Sequence, residues 1–293
     1  MSRIDVTKSI DVIIYSYKGK SLKDVVENLI DKSSGVHDIN VIIFDQYPLI
    51  RDDVFGPIRQ CIYRHIFWDH ITSPCKHKSN SIKTSFANYT MIISDTVMLK
   101  TNWDLDLINF VGNKNIIVSG KGKTSISHNG IYYLSRASEE SDSFILDNWI
   151  DRDFIFGQSK TVKSIEYPDY LKYNGEEEVL SMSYFANGID TYSAPSDFYY
   201  NTGINSIMTT YHTFSKDHNY NECVSLIKSG QNKYIDLNNL ARSINEFLSI
   251  HNISKDYIKP LPFLLNDVDY DPHTMVFDKV DSKKFMTKVN YIA

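Results

Sequence analysis

The chain has 293 residues, enough to bury one substantial core and to carry an appended subdomain. Apolar residues make up 42% and charged residues 23%, as in an ordinary globular protein, and 20 tyrosines are the unusual feature. The net charge of -5 excludes a protein that coats nucleic acid by bulk electrostatics, because such proteins need many phosphate contacts from Lys and Arg. A local basic groove stays compatible with this charge.

The sequence carries no signal that directs it to a membrane. No run reaches the ~18 apolar residues that cross a bilayer, and the first residues, MSRIDVTKSID, lack the apolar centre of a signal peptide. The cysteines Cys61, Cys75 and Cys223 are widely spaced and odd in number, which indicates neither a disulfide framework nor a zinc site. We therefore expect a cytoplasmic protein with reduced thiols and no membrane partner. The sequence does not determine its oligomeric state.

The first half of the chain alternates predicted strands and helices. Residues 11–17 and 40–45 are apolar, β-prone runs, which predict the first two strands. Between them, Ser21 caps a helix with one apolar face at 3.6-residue spacing. That face comprises Leu22, Val25, Val26, Leu29 and Ile30. A strand, helix and strand in this order predict a parallel, right-handed unit.

Further elements extend this α/β pattern. We predict a helix over residues 80–88 and strands over 89–95, 115–119 and 130–134. Ligands of open α/β sheets bind at the carboxyl ends of the strands. The ends at Ser16, Asp45 and Asp95 are therefore expected to meet at one cleft.

The pattern changes after residue 200. Asp236 caps a predicted helix with one apolar face, and three prolines follow it. The face comprises Leu237, Leu240, Ala241, Ile244, Phe247 and Leu248. We predict an α/β core over residues 1–200 and a smaller, partly helical C-terminal subdomain over 201–293 that completes the site and packs on the core.

Short motifs follow one another in a recognisable order. They are Ser16-Tyr17-Lys18, Lys78-Ser79-Asn80-Ser81-Ile82-Lys83, Ser94-Asp95-Thr96 with Trp103-Asp104, Phe154-Ile155-Phe156-Gly157, Pro168-Asp169-Tyr170-Leu171, Gly175-Glu176-Glu177 and Asn187-Gly188-Ile189-Asp190-Thr191-Tyr192-Ser193-Ala194-Pro195. In this order, over residues 10–215, the chain resembles the GT-A glycosyltransferases that include the cytoplasmic hydroxyproline N-acetylglucosaminyltransferases. The resemblance implies a GT-A fold, with a Rossmann-like and mostly parallel sheet.

The resemblance also implies a metal-dependent hexosyl- or pentosyltransferase that uses a nucleotide sugar, such as a UDP-sugar. The implied donor-binding residues are Ser16, Tyr17, Lys18, Lys83, Ser94 and Asp95. Mn or Mg would be held by Asp95 and His212, with His218 as the second choice for the histidine. The implied catalytic residues are Glu176 and Glu177, which would face the sugar and the acceptor hydroxyl, and Asp190 for sugar recognition.

Departures from the family pattern concern the phosphates and the cation. The family's arginines are replaced by Lys18 and Lys83, which keep the charge and lose bidentate phosphate geometry. Aligned from Trp103-Asp104, Ser94 stands at the family's Asp and Thr96 at its His, so Asp95 is a ligand only if the site has been rebuilt or the register slips. An inactive GT-A fold used as a binding module therefore stays open.

The glutamates admit two reaction types. In an inverting reaction one of them is the general base, and in a retaining reaction, which we expect, they position hydroxyls and stabilise developing positive charge. A run of acids such as 176–178 also fits a solvated helix start. Asp190 also fits a loop cap.

The acceptor is predicted from indirect features. Lysine outnumbers arginine 24 to 7 and Asn, Ile and Tyr abound, a bias of AT-rich genomes that suggests a phage or virus and action in the host cytoplasm. We therefore expect glucosyl or arabinosyl transfer to 5-hydroxymethylcytosine in phage DNA, with a protein Pro, Ser or Thr hydroxyl as the alternative. DNA requires a basic rim, for which Lys160, Lys163 and Lys172 are candidates, and a neutral or acidic surface beside Glu176 would weaken this choice.

Overall fold

The structure is a computed structural model that describes residues 8–16, 22–45, 61–67, 74–120, 125–126, 132–133, 141–168, 176–202 and 240–251. Its strands are β1 (Ser9–Ser16), β2 (Asp38–Asp45), β3 (Cys61–Phe67), β4 (Tyr89–Ser94), β5 (Val97–Leu99), β6 (Ile116–Ser119), β7 (Ser125–Ile126), β8 (Tyr132–Tyr133), β9 (Ile145–Leu146), β10 (Phe154–Gln158), β11 (Asp190–Ser193) and β12 (Tyr199–Asn201). Its helices are α1 (Leu22–Asp31), α2 (Pro74–Thr84), α3 (Trp103–Val111), α4 (Ser159–Val162), α5 (Glu176–Ala186) and α6 (Ile244–Ile250).

The main sheet has eight strands in the order β3-β2-β1-β4-β10-β6-β11-β9. Strands β1 to β4 are mutually parallel, β6 is parallel to β11, and β10 runs antiparallel between β4 and β6. Strands β6 and β11 therefore point the same way as β1 and β4. Their carboxyl ends and the amino end of β10 share one side of the sheet, named here the carboxyl edge. The predicted α/β fold with a mostly parallel sheet is confirmed.

Both faces of the sheet are covered by apolar side chains. Successive residues of a strand point to opposite faces, and Ile13 and Ile92 belong to one buried cluster while Val12 and Met91 belong to the other. The second cluster includes four of the five residues in the predicted apolar face of α1, all buried. The alternation of β1 with the stripe of α1 thus produces the first layer of the fold.

The Trp103-Asp104 pair has a structural role. The Trp103 indole donates to the Leu29 carbonyl oxygen at 2.9 Å, and the Asp104 carboxylate accepts from the Ser34 amide at 2.8 Å. Both side chains are fully buried. They attach α3 to the end of α1 and so fix the chain that follows β4.

Two predicted helices have different bounds in the structure. Helix α2 begins at Pro74, six residues before the predicted start, and ends at Thr84. It stops there because the Asp11 carboxylate accepts from the Ser85 hydroxyl at 2.7 Å and from the Phe86 and Ala87 amides at 2.9 and 3.2 Å. These bonds hold residues 85–87 out of the helix.

The C-terminal helix also starts later than predicted. Helix α6 begins after Ser243, whose hydroxyl accepts from the Asn245 amide at 3.1 Å. An N-cap of this kind sets the start of the helix, so Leu240 and Ala241 precede the helix, and Asp236 and Leu237 lie outside the described residues. Most of 201–293 lies outside them as well, and the domain boundary at 200 stays a prediction. No helix in the described part of the chain is long and apolar enough to span a bilayer.

Candidate active site at the carboxyl edge

Three strand ends meet at the carboxyl edge, as the sequence predicted. Ser16 at the end of β1 is in register with Asp45 of β2, and Tyr15 is in register with Ser94 of β4. The Asp95 amide donates to the Tyr15 carbonyl oxygen at 3.0 Å, which continues the pairing beyond β4. The buried Ser16 hydroxyl has no hydrogen-bond partner among the described residues. Tyr17 and Lys18 lie outside those residues.

The segment after β4 contains one carboxylate between two hydroxyls. The Ser94 and Thr96 hydroxyl oxygens lie 2.8 Å apart and hydrogen-bond to each other, and Asp95 is buried. Within the described ranges, no group of three or more His, Cys, Asp and Glu side chains is arranged to hold a metal ion. His212 and His218 lie outside them. The predicted role of Asp95 as a cation ligand therefore stays a prediction.

A second acidic segment, which no sequence motif indicated, joins this end of β4. It comprises Asp151, Arg152 and Asp153, just before β10. Because β10 is antiparallel, its start lies at the carboxyl edge, where the Asp153 carbonyl oxygen accepts from the Ser94 amide at 3.1 Å. The Asp151 carboxylate accepts from the Tyr199 hydroxyl at 3.1 Å and from the Asp153 amide at 2.9 Å.

Glu177 faces this segment from the first turn of α5. Its carboxylate lies 3.8 Å from Arg152 Nε and accepts from the Arg152 amide at 3.4 Å. The Glu177 side chain is 30% exposed, so it is partly open to solvent while Arg152 contacts its carboxylate. The neighbouring Ser94, Asp153 and Arg152 form a continuous path from the end of β4 to Glu177.

Three acids here, Asp151, Glu177 and Glu178, have pKa values above their ordinary range. Burial and the nearby Asp153 and Glu177 carboxylates raise the pKa of Asp151 to about 8. Burial, then Glu177, raises the pKa of Glu178 to about 7. Burial raises the pKa of Glu177 and the Asp153 charge adds to this, although Arg152 opposes both. Near neutral pH, Asp151 and Glu178 therefore carry less negative charge than two ordinary carboxylates.

Glu176 has a different environment from Glu177. Its side chain is 5% exposed, and its carboxylate contacts Lys78 Nζ at 2.5 Å and Cys75 Sγ at 3.4 Å and accepts from the Tyr167 hydroxyl. Burial alone would raise the pKa of Glu176, but the charge and hydrogen bond of Lys78 hold it below the ordinary value. Glu176 is thus an ionised interior group, and its predicted catalytic role stays a prediction.

Several predicted residues lie away from the carboxyl edge. Asp190 is the first residue of β11, which places it at the opposite side of the sheet, where it pairs with Arg242 at 2.6 Å. Lys83 is exposed in the last turn of α2, which leads to the start of β4. Lys160 and Lys163 lie in or beside α4, after the end of β10, and Lys163 donates to the Ser85 carbonyl oxygen. Strand direction separates all four from Ser94.

Lys78, Asp151 and Asp153 lie near the site in place of the predicted residues, and each gave only a weak signal in the sequence. Lys78 lies about 1.4 helical turns before Lys83 in the same motif, and a helix that starts at Pro74 would have favoured Lys78. Asp151 and Asp153 form an acid pair at a strand start, where acids usually mark a turn. Only the antiparallel insertion of β10 brings that pair to the carboxyl edge.

No protein-family model matches the sequence, and no curated protein matches it either. Solved structures share its fold. GalNAc-T7, solved with UDP, GalNAc and Mn2+, has a TM-score of 0.57 at 9% identity, over 86% of this chain and 56% of its own. The mannosyltransferase PcManGT from Pyrobaculum calidifontis, solved with GDP-Man and Mn2+, has a TM-score of 0.57 at 9% identity, over 86% of this chain and 70% of its own.

This chain has a GT-A fold. S. aureus TarS 1-349 has a TM-score of 0.50 at 13% identity, over 79% of this chain and 67% of its own. The match with GalNAc-T7 covers 56% of that protein, so the present chain spans about half of its length. Identities this low establish the GT-A architecture, and the activity has to be argued from the residues.

Proposed function

We propose that the chain is a glycosyltransferase that moves a sugar from a nucleotide-diphosphate donor to an acceptor hydroxyl. The contact of Glu177 with Arg152, beside the end of β4, carries the proposal. A GT-A fold with an accessible, fixed carboxylate at the carboxyl edge has the parts for such a transfer. GalNAc-T7 was solved with UDP and PcManGT with GDP-Man, which supports a nucleotide sugar, with a UDP-sugar as our first choice.

A divalent cation, Mn or Mg, belongs to this proposal. Asp95 would hold it, together with a ligand from outside the described residues, for which His212 and His218 remain the candidates. When bound, the cation would neutralise charge on the departing diphosphate. The described residues fit this role in part, since Ser94 and Thr96 contribute neutral hydroxyls.

Glu177 is our candidate for the group that contacts the reacting sugar or the acceptor hydroxyl. In a retaining transfer, which remains our proposal, its carboxylate accepts a hydrogen bond from a sugar or acceptor hydroxyl and stabilises positive charge at the anomeric carbon. In an inverting transfer the same carboxylate takes the proton of the acceptor hydroxyl, and its raised pKa makes it a stronger base than an ordinary glutamate. Arg152 keeps the carboxylate in place in both cases.

The charge beside Glu176 bears on the acceptor. Among the described residues, the partly exposed charged groups beside Glu176 include the acids Asp151, Asp153 and Glu177 and the cation Arg152. These groups offer no excess of positive charge to a polyanion, and the described candidates for a basic rim lie at the other edge of the sheet. We therefore place a protein Pro, Ser or Thr hydroxyl before 5-hydroxymethylcytosine in phage DNA, which stays as the second acceptor, with action in the host cytoplasm.

A third candidate is an inactive GT-A fold that serves as a binding module. The hydrogen-bonded hydroxyls of Ser94 and Thr96 favour it, because they replace the Asp and His ligands that the family resemblance implies at those positions. Such a module would bind a nucleotide sugar without turning it over.

Mass spectrometry separates the three candidates. The full chain is incubated with UDP- and GDP-sugars and Mn2+, together with hydroxymethylated DNA, unmodified DNA, or peptides that contain hydroxyproline, Ser and Thr. A sugar increment on a peptide supports the first choice, and an increment on hydroxymethylated DNA alone selects the second. Binding of UDP-sugar without transfer to any acceptor or to water selects the module. Glu177→Gln serves as the matched variant in every arm.

A further inference from the structure

Lys78 and Glu176 form a buried ion pair between distant parts of the chain. Their side chains are 9% and 5% exposed, and Lys78 Nζ lies 2.5 Å from Glu176 Oε1. Removing two charges from water costs about as much as their attraction returns, so such a pair is weak support for stability alone. Its position beneath the candidate active site points to another role.

The pair is enclosed by groups that fix its geometry. The Tyr167 hydroxyl donates to the oxygen of Glu176 that Lys78 contacts, and Cys75 Sγ lies 3.4 Å from the other oxygen. The Lys78 ammonium lies 5.3 Å from the centre of the Tyr15 ring and 5.9 Å from that of the Tyr167 ring. Both oxygens of the carboxylate are therefore occupied, and cation–π contacts hold the ammonium.

This arrangement sets the direction of the first turn of α5. Glu176 is the first residue of α5 and Glu177 is the second. Successive residues of an α-helix are rotated by roughly 100° about its axis, so a fixed Glu176 side chain determines where Glu177 points. With Glu176 bound to Lys78 on the interior side, Glu177 meets Arg152 at 3.8 Å.

We propose that Lys78 and Glu176 are a positioning pair, which holds the start of α5 so that the Glu177 carboxylate faces the acceptor and neither pair member touches substrate. The inference rests on the proposed glycosyltransferase function and concerns the same site. It assigns to Glu176 a supporting role in place of the catalytic one that the sequence suggested, and it gives a role to Lys78.

The test compares single and double substitutions. Lys78→Met leaves the Glu176 charge buried without a counter-charge, and we expect kcat to fall about 10- to 100-fold, as for a displaced catalytic group. The donor KM should change by less than about threefold. The double variant Lys78→Met/Glu176→Gln removes both charges, and we expect it to recover about tenfold in kcat over Lys78→Met and most of the lost Tm.

A catalytic role for Glu176 predicts a different order of kcat for the single and double variants. If Glu176 is itself the base, Gln cannot take the proton, and the double variant is no more active than Lys78→Met. That result, or a double variant no more stable than Lys78→Met, overturns the proposal. Lys32→Met makes the same chemical change on an exposed residue just after α1 and is expected to behave as wild type.

A structural readout keeps this inference separate from the proposed function. If the wild-type chain turns over no donor, the proposed function fails, and the crystal structure of Lys78→Met still tests the pair. We expect the Glu177 carboxylate to leave Arg152 in that variant. A retained Arg152–Glu177 contact would show that Lys78 does not position Glu177, whatever the activity.

Discussion

The side-chain hydroxyls of Ser94 and Thr96 lie 2.8 Å apart at the end of β4, on either side of the buried Asp95 in sequence. Each occupies a position at which the family resemblance implies a charged or imidazole ligand. A hydroxyl contributes an oxygen without charge, and cation affinity rises with the number of charged ligands. The present segment is therefore expected to bind a divalent cation weakly.

Restoring a carboxylate at this position should strengthen cation binding. We expect Ser94→Asp to lower the Kd for Mn2+ by about tenfold, because a second charged oxygen ligand joins Asp95. Isothermal titration calorimetry of the full chain with Mn2+ measures the change. Ser143→Asp, which adds the same charge at an exposed serine, should leave Kd unchanged. Equal affinity in the wild type and Ser94→Asp would exclude the end of β4 as the cation site.

Glu177→Gln tests the carboxylate that Arg152 holds. We expect donor turnover to fall by about 10² or more, since Gln neither accepts a proton nor stabilises positive charge as a carboxylate does. Folding should be retained, because burial already raises the pKa of Glu177 and Gln needs no counter-charge. Steady-state kinetics and thermal unfolding check both points, with Glu246→Gln on the exposed side of α6 as control. Near-normal turnover would remove Glu177 from the mechanism.

The sequence predicted the parts of the fold that local patterns determine. The apolar run of β1 and the stripe of α1 are periodic over one element, and the structure has both. The convergence of the strand ends at Ser16, Asp45 and Asp95 followed from the rule that ligands bind where parallel strands end at one edge. Each of these inferences needed only one segment or a general rule of α/β topology.

Non-local contacts explain the predictions that the structure does not support. The end of α2 is set by Asp11, which lies 74 residues before Ser85 and leaves no periodic signal. The direction of β11 places Asp190 beside Arg242, and the antiparallel insertion of β10 brings Asp151 to the site in its place. Strand order and direction depend on the whole sheet, so no motif could reveal which acid reaches the carboxyl edge.

Asp151 should make stability depend on pH. Burial, then Asp153 and Glu177, raises its pKa from 3.8 to about 8, so the folded chain holds a proton that the unfolded chain releases. The stability associated with this proton is complete below pH 4 and is lost as the pH rises towards 8. Asp151→Asn abolishes the titration, and we expect its Tm to exceed that of the wild type by roughly 2–4 °C at pH 9.

Measuring the Tm of Asp151→Asn and wild type at pH 5 as well checks that the titration of Asp151 causes the difference. The difference in Tm between Asp151→Asn and wild type should shrink there, because the wild-type carboxyl is then protonated when folded. Asp142→Asn, at an exposed aspartate, should follow the wild-type curve at both pH values. Parallel curves for Asp151→Asn and wild type would mean that Asp151 is charged in the folded protein throughout.

The absence of a side chain at Gly120 leaves room for Tyr199 of β12 to reach Asp151. A Cβ at this position would overlap the Tyr199 hydroxyl and an Asp151 carboxylate oxygen, the two groups that hydrogen-bond to each other. We expect Gly120→Ala to cost about 1–3 kcal/mol in the free energy of unfolding, as overpacking of a filled interior does. Urea unfolding of the variant measures this loss.

A second substitution identifies the cause of the loss at Gly120. Tyr199→Phe removes the overlapping hydroxyl and keeps the aromatic ring, whose centre lies 5.3 Å from the centre of the Phe154 ring on which it stacks. If the overlap with Tyr199 is responsible, Gly120→Ala should cost less in the Tyr199→Phe background than in the wild type. Tyr199→Phe alone gives the baseline for the lost hydrogen bond. An equal cost in both backgrounds would assign the whole effect to Asp151 or to the backbone of Gly120.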